Sequence, residues 1–244
     1  MEIRSVEARL GWQWIADGFA LFRKNPLIWI VLCIILLLFA VAMAAIPMLG
    51  QFVFTLLSPV LLAGLMVGCK ALEQGEELEI AHLFAGFQKN PTPLVTIGGV
   101  YLVGQVLIIG VAMLIGGSVM LDLLMGNREF DQAALMSMMG NIMLAMLVAM
   151  ALSIPLMMAT WFAPLLVIFD DMPALAAMRM SFFACLKNFM PFLIYSIMLF
   201  VLAVVAMIPF GLGLLVLVPT LFASIYASYK NIFARTTEAV VATS

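Results

Sequence analysis

Charge is what this chain lacks most. Only 10% of its 244 residues are charged, and its formal net charge is -2. Soluble domains are roughly a quarter charged and about half apolar. Here the apolar fraction is 66% and the mean hydropathy +1.22. Water cannot be the solvent for that much apolar surface, so the medium is lipid. No basic stripe with interleaved aromatics is present, which excludes nucleic acid as a partner. Histidine occurs once, as His82. A metal site needs three or four ligands. Cys69, Glu79 and His82 form a set only on paper, so no metal and no cofactor are expected. Cysteine is also sparse. Cys33, Cys69 and Cys185 are odd in number and form no CxxC pair, which excludes a disulfide framework and favours small buried hydrophobes.

Catalytic chemistry is missing too. There is no nucleophile–base pair, no phosphate-binding loop and no paired carboxylates, so no catalytic residue is assigned and no enzyme is expected. The apolar stretches hold almost no ionisable group, Asp122 being the nearest. That argues against a proton- or sodium-driven transporter. Residues 1–25 carry Glu2, Glu7, Asp17 and four basic residues and lack a continuous apolar core, unlike a cleavable signal peptide.

What is present is repetition. Residues 15–26 read IADGFALFRKNP and residues 80–91 read IAHLFAGFQKNP. Ile15/Ile80, Ala16/Ala81, Phe19/Phe84, Ala20/Ala85, Phe22/Phe87, Lys24/Lys89, Asn25/Asn90 and Pro26/Pro91 are identical. A weaker copy, MRMSFFACLKNF at 178–189, keeps Phe182, Lys187 and Asn188. Each copy precedes a long apolar stretch. The pattern predicts an all-α polytopic membrane protein with six transmembrane helices, arranged as three parallel hairpin repeats about an axis along the membrane normal, each preceded by an amphipathic interfacial helix. Residues 1–244 form a single membrane domain, with units at about 12–72, 78–170 and 174–234.

The six spans are drawn at about 27–48, 51–71, 93–121, 136–169, 190–209 and 212–232. Roughly 20 residues suffice to cross the hydrocarbon core. Pro155 and Pro164 predict kinks in the fourth. With six spans, Arg4, Arg9, Arg23, Lys24, Lys70, Lys89, Arg179, Lys187, Lys230 and Arg235 share one side and Arg128 alone lies on the other. Both termini are therefore expected in the cytoplasm. Stretches 46–51 and 209–213 read as tight outer turns, and 126–132 as a longer outer loop.

Within the repeated phrase, Ile15, Phe19 and Phe22 fall on one helical face, as do Ile80, Phe84 and Phe87. Such a face can lie toward lipid in the membrane interface. Lys24, Lys89 and Lys187 close each helix and are candidate contacts to lipid headgroups. Asn25, Asn90 and Asn188 are read as left-handed helix stops, followed by Pro26 and Pro91 at the next helix start. The likeness extends from SPVLLAGLMVGCK at 58–70 to VPTLFASIYASYK at 218–230. Gly64/Gly68 and Ser224/Ser228 there predict close helix packing. Pro164 is the candidate second-unit equivalent of Pro59 and Pro219. Glu73, Glu76, Glu77 and Glu79 read as a solvated turn that helps cap the following helix, and Asp170/Asp171 as an N-cap of the third interfacial helix. Gln105, Asn141, Ser153, Thr160, Ser196 and Ser224 read as donors of interhelical hydrogen bonds. The methionines of the fourth span, Met136 to Met158, fit apolar packing better than copper binding, since no His or Cys accompanies them.

WxWIADGFALFRKNP near the N-terminus, with WFAPLLVIFDD at 161–171, resembles an uncharacterised family of proteobacterial six-span inner-membrane proteins. More distantly it resembles the membrane domain of bacterial glycerophosphodiester phosphodiesterases. The soluble catalytic domain of the latter is absent, so no catalytic residue carries over. The resemblance implies a bacterial inner membrane. The expected function is binding or moving a lipid or another apolar molecule in an apolar central cavity. The alternatives are a scaffold or accessory subunit with a membrane-protein partner or a homo-oligomer, and a channel for a small neutral solute.

Overall fold

The structure is a computed structural model that describes residues 2–47, 49–125 and 132–233. All regular structure among these residues is helical. Helix α1 spans Leu10–Lys24, α2 Pro26–Ala44 and α3 Leu49–Gln74. A 3-10 segment at Ile80–Phe84 leads into the single turn α4, Ala85–Gln88. Then come α5 (Pro91–Met125), α6 (Gln132–Trp161), α7 (Ala163–Asp170), α8 (Ala174–Lys187), α9 (Phe189–Met207) and α10 (Leu214–Ile232). Of the expected loop at 126–132, residues 126–131 lie outside the described residues, as does Arg235, and Gln132 begins α6.

Five described stretches are long and apolar enough to cross a bilayer: Pro26–Ala44, Leu49–Gln74, Pro91–Gly116, Met139–Asp170 and Phe189–Met207. The fourth is broken at Phe162, where α6 gives way to α7 with Pro164 in its first turn. That is the helix position where a missing N–H costs least. Helix α10 is not among the five. Its second half carries Ser224, Tyr226, Ser228, Tyr229, Lys230 and Asn231, and most of it is buried against protein. Its side chains answer to neighbouring helices, whereas α2, α5, α6 and α9 turn large apolar side chains outward.

The segments that carry the repeated phrase pack into the bundle through small residues. Gly11, Trp14, Ile15, Gly18 and Phe22 form the buried face of α1. That face lies on α9 and α10. A Cβ on Gly18 would stand 2.6 Å from the Thr220 carbonyl oxygen. The Trp14 indole donates to Asn231 Oδ1 at 2.9 Å, and its ring packs on Phe192 at 5.2 Å. The 3-10 segment and α4 lie on α3 in a comparable way. A Cβ on Gly64 would stand 2.2 Å from the Leu83 carbonyl oxygen, and one on Gly86 2.2 Å from that of Val60. Helix α8 packs on α6. There the Ser181 hydroxyl donates to the Met158 carbonyl at 2.6 Å and accepts the Phe162 N–H at 2.9 Å.

Two expectations about the repeated phrase change here. The second copy is a 3-10 segment plus one α-turn rather than a regular helix, because Leu83 and Gly86 must press their backbone against α3. The shared aromatic face also splits. Ile15 and Phe22 are buried and only Phe19 is exposed, whereas Ile80, Phe84 and Phe87 are all exposed. Close packing of α1 onto α10 therefore depends on Gly18 having no side chain. Gly18→Val is expected to lower stability by about 1–3 kcal/mol through overpacking. Gly110→Ala in α5, whose Cβ would meet nothing within 4 Å, is expected to be neutral or to stabilise. Thermal unfolding of the two purified variants in mild detergent checks both.

Candidate functional site

Helices α3, α7 and α10 finish at the same end of the bundle, each leaving C-terminal carbonyls without an intrahelical partner. The repeated lysines serve that end. Lys24 Nζ donates to the Leu72 carbonyl at 2.7 Å, and Lys89 Nζ to that of Ile168 at 2.8 Å. Lys89 also lies 3.6 Å from the Asp171 carboxylate. Lys187 Nζ donates to the Ile3 carbonyl at 2.6 Å, in the extended segment that precedes α1. In that same segment the Arg4 N–H donates to the Ile232 carbonyl at 2.9 Å, at the end of α10. All three lysines are exposed on their outer side.

The asparagines do three different things, and the shared left-handed stop holds for one. Asn90 has φ 56, and its amide donates to Asp171 at 2.7 Å and to the Val167 carbonyl at 3.3 Å. Asn25, at φ -149, accepts from the Ile28 N–H at 3.4 Å and so caps the start of α2. Asn188, at φ -112, is buried. It accepts from the Val6 N–H at 2.8 Å and donates to the Arg4 carbonyl at 2.9 Å, which pairs it with the N-terminal segment as a neighbouring strand would be. Asp171 is not an N-cap. It is the left-handed C-cap of α7, and Pro173 precedes α8.

A polar cluster missed in the sequence ties the three helix ends together. The Tyr226 hydroxyl donates to Glu73 at 2.8 Å, and Lys230 pairs with the same carboxylate. The Tyr229 hydroxyl donates to Asp170. The Lys70 ammonium lies 5.5 Å over the Phe169 ring, which packs on Tyr226 and Tyr229. The aligned Lys70 and Lys230 were the available signal. Glu73 is exposed, as an acidic residue near solvent should be, but it sits at the end of α3 rather than in a turn and is paired in this cluster. His82 uses Nδ1 to accept the Glu79 N–H at 3.0 Å.

A cavity of about 520 Å³ lies where α2, α3, α5, α6, α7 and α10 meet. It follows α3 from Gln51 to Leu65, roughly 21 Å of helix. Its lining includes no Asp, Glu, Lys, Arg or His. Nor is it purely apolar, as expected of a central cavity here: Gln51, Thr55 and Ser58 form one polar face of α3, opposite Tyr101, Thr160 and Trp161. A second groove, about 680 Å³, runs between Phe19 of α1 and the α9–α10 hairpin and is almost wholly apolar. The intramembrane polar groups bond mostly within their own helices. Gln105 donates to Tyr101, and Thr160 to the Leu156 carbonyl. Ser224 reaches across, to Tyr195 at 2.6 Å. Met139, Met143, Met146, Met150 and Met157 face outward and none lines the cavity except Met157.

Lys24→Met and Lys89→Met are each expected to cost about 1 kcal/mol, the usual net value of one hydrogen bond. Faster amide exchange confined to the last turns of α3 and α7 is the corresponding readout. Asp17, half-buried on α1, has its carboxyl raised above the usual 3.8 by burial, with Lys230 opposing. A raised carboxyl favours the protonated folded state, so the ionised form weakens folding once the pH exceeds its value. Asp17→Asn is expected to raise the melting temperature at pH 7, with the gap closing as the pH falls toward 3.8.

Comparison with known proteins gives one relative of near full length. A protein of Burkholderia thailandensis named a probable inner membrane protein is 29% identical over 258 residues, covering 96% of this chain and 94% of that one. No family model matches. No solved structure matches. The likeness to phosphodiesterase membrane domains finds no support in these comparisons. With its apolar helices and this relative, the chain is a helical membrane protein similar to an inner-membrane protein.

Proposed function

We propose that this is a non-enzymatic inner-membrane protein that binds or moves a lipid or another apolar small molecule. The observation that carries the reading is the uncharged cavity at the junction of the hairpins. Its size falls within the range of small-molecule sites. An ion or a charged solute would find no counter-charge along its wall. In this reading α10 is a sixth span, both termini are cytoplasmic, and three units surround the cavity.

Three carbonyls support the three-unit arrangement. Leu72, Ile168 and Ile232 each stand thirteen positions after a helix proline, Pro59, Pro155 and Pro219. Each accepts a donor from outside its helix: Lys24, Lys89 and the Arg4 N–H. Pro155 therefore fits the second unit better than Pro164. Lys24 and Lys187 each spend one N–H on a carbonyl and keep two for a headgroup at the same depth, whereas Lys89 also pairs with Asp171.

Native mass spectrometry of protein released from membranes into mild detergent is the test. The expected spectrum shows a persistent added mass matching a lipid or a small apolar molecule. A bare chain under the gentlest conditions overturns the reading. A fixed-stoichiometry complex with another protein, and no added small mass, replaces it with an accessory subunit.

A further inference from the structure

We infer that the central cavity selects an uncharged amphipath, one that offers a hydroxyl proton and accepts at ester or carbonyl oxygens, and discriminates against lipids with an ionised headgroup. This rests on the lipid-binding reading above and adds the class of ligand and the place where it is held.

The argument is an inventory of donors and acceptors. Thr55 donates its only hydroxyl proton to the Gln51 carbonyl at 2.8 Å, and Ser58 donates its own to the Thr55 carbonyl at 3.1 Å. Thr160 donates to its own helix at 3.1 Å. With their protons committed to backbone, these hydroxyls face a ligand as acceptors. Pro59 and Pro164 lack the N–H groups that would close on the carbonyls of Thr55 and Thr160. Ser58 attends to the first of these. The wall is thus rich in acceptors, and a ligand hydroxyl is what it lacks.

Three donors complement it, the first being the Gln51 amide, which gives one N–H to Thr55 Oγ1 at 3.5 Å and has a second to offer. The Trp161 indole nitrogen is buried and has no hydrogen-bond partner. A buried N–H left alone costs about 1–3 kcal/mol, and because the Trp161 ring lines the cavity, a turn of that ring would bring its N–H to a ligand ester or carbonyl oxygen. Tyr101 accepts from Gln105 at 2.9 Å and keeps its own proton to give. A phosphate or carboxylate placed here would meet more acceptors than donors and no cation, so its desolvation would go uncompensated. Acyl chains would lie along the apolar lining, Leu61, Leu62 and Phe222 among it.

Photolabelling of the full-length purified protein tests this. The probes are a diacylglycerol with a diazirine in one acyl chain, and a phosphatidic acid with the same chains. Labelled peptides are mapped by mass spectrometry. The expected result is diacylglycerol labelling of residues 51–65 and 157–164. It falls at least fivefold in Trp161→Phe and in the Ser58→Ala/Thr160→Val double variant, whose folding is checked by an unchanged elution volume and melting temperature. Phosphatidic acid should label those segments at least fivefold less. Equal cavity labelling by both probes overturns the selectivity but leaves lipid binding standing. Labelling unchanged in both variants overturns the assigned polar contacts. No labelling of these segments by either probe overturns the site, and if native spectra also carry no added mass, the lipid-binding reading falls with it.

Discussion

Helix C-termini cannot be left bare inside a packed bundle, and here three of them meet at one end. Their carbonyls must find donors, because an unsatisfied buried polar group costs more than a hydrogen bond returns. Lys24, Lys89 and the Arg4 N–H supply those donors to Leu72, Ile168 and Ile232. Much of the remaining architecture follows from keeping these donors in place. The segments that carry the repeated phrase must lie close against the hairpins, and Gly18, Gly64 and Gly86 give the clearance for it. Glu73, Asp170, Tyr226 and Tyr229 then fill the space between the helix ends with paired polar groups.

The division of labour along the bundle axis is clear. One end is held by charge and hydrogen bonds. Against that end packs a dense core in which Trp14, Trp29, Leu65, Met66 and Phe162 are wholly or almost wholly buried. The uncharged cavity opens beyond Leu65, along α3 toward Gln51. Rigidity therefore sits at the end with the ionisable groups, while the space a ligand would need lies where hydroxyls and aliphatic side chains dominate.

The sequence made the helices legible because lipid imposes apolar runs of a minimum length, and Pro26, Pro91 and the Asn residues punctuate them. It also located the small residues at which helices approach. What stayed hidden depended on partners far along the chain. The repeated lysine has an obvious helix-end position, but nothing near Lys24 indicates that Leu72 is its acceptor. Glu73 sits in an acidic run that looks unpaired until Tyr226 and Lys230, some 150 positions later, are brought beside it. Repetition was also misleading in detail. Asn25, Asn90 and Asn188 share a place in the phrase, yet their backbones differ because each must meet a different neighbour.

The contact of α1 with α10 bears on how the chain acquires its shape during synthesis. Helix α1 emerges well before the surface that covers Trp14 and Gly18, which belongs to α9 and α10. For most of translation its apolar face has no protein partner and must be sheltered by lipid at the membrane surface, where an amphipathic helix can wait. Closure is then a contact between segments separated by nearly the whole chain, the kind that is made late. Because Arg4 and Ile232 are hydrogen-bonded neighbours, the described residues between them trace a path close to a loop in space, and bringing these two segments together is the closing of a ring rather than the stacking of a column.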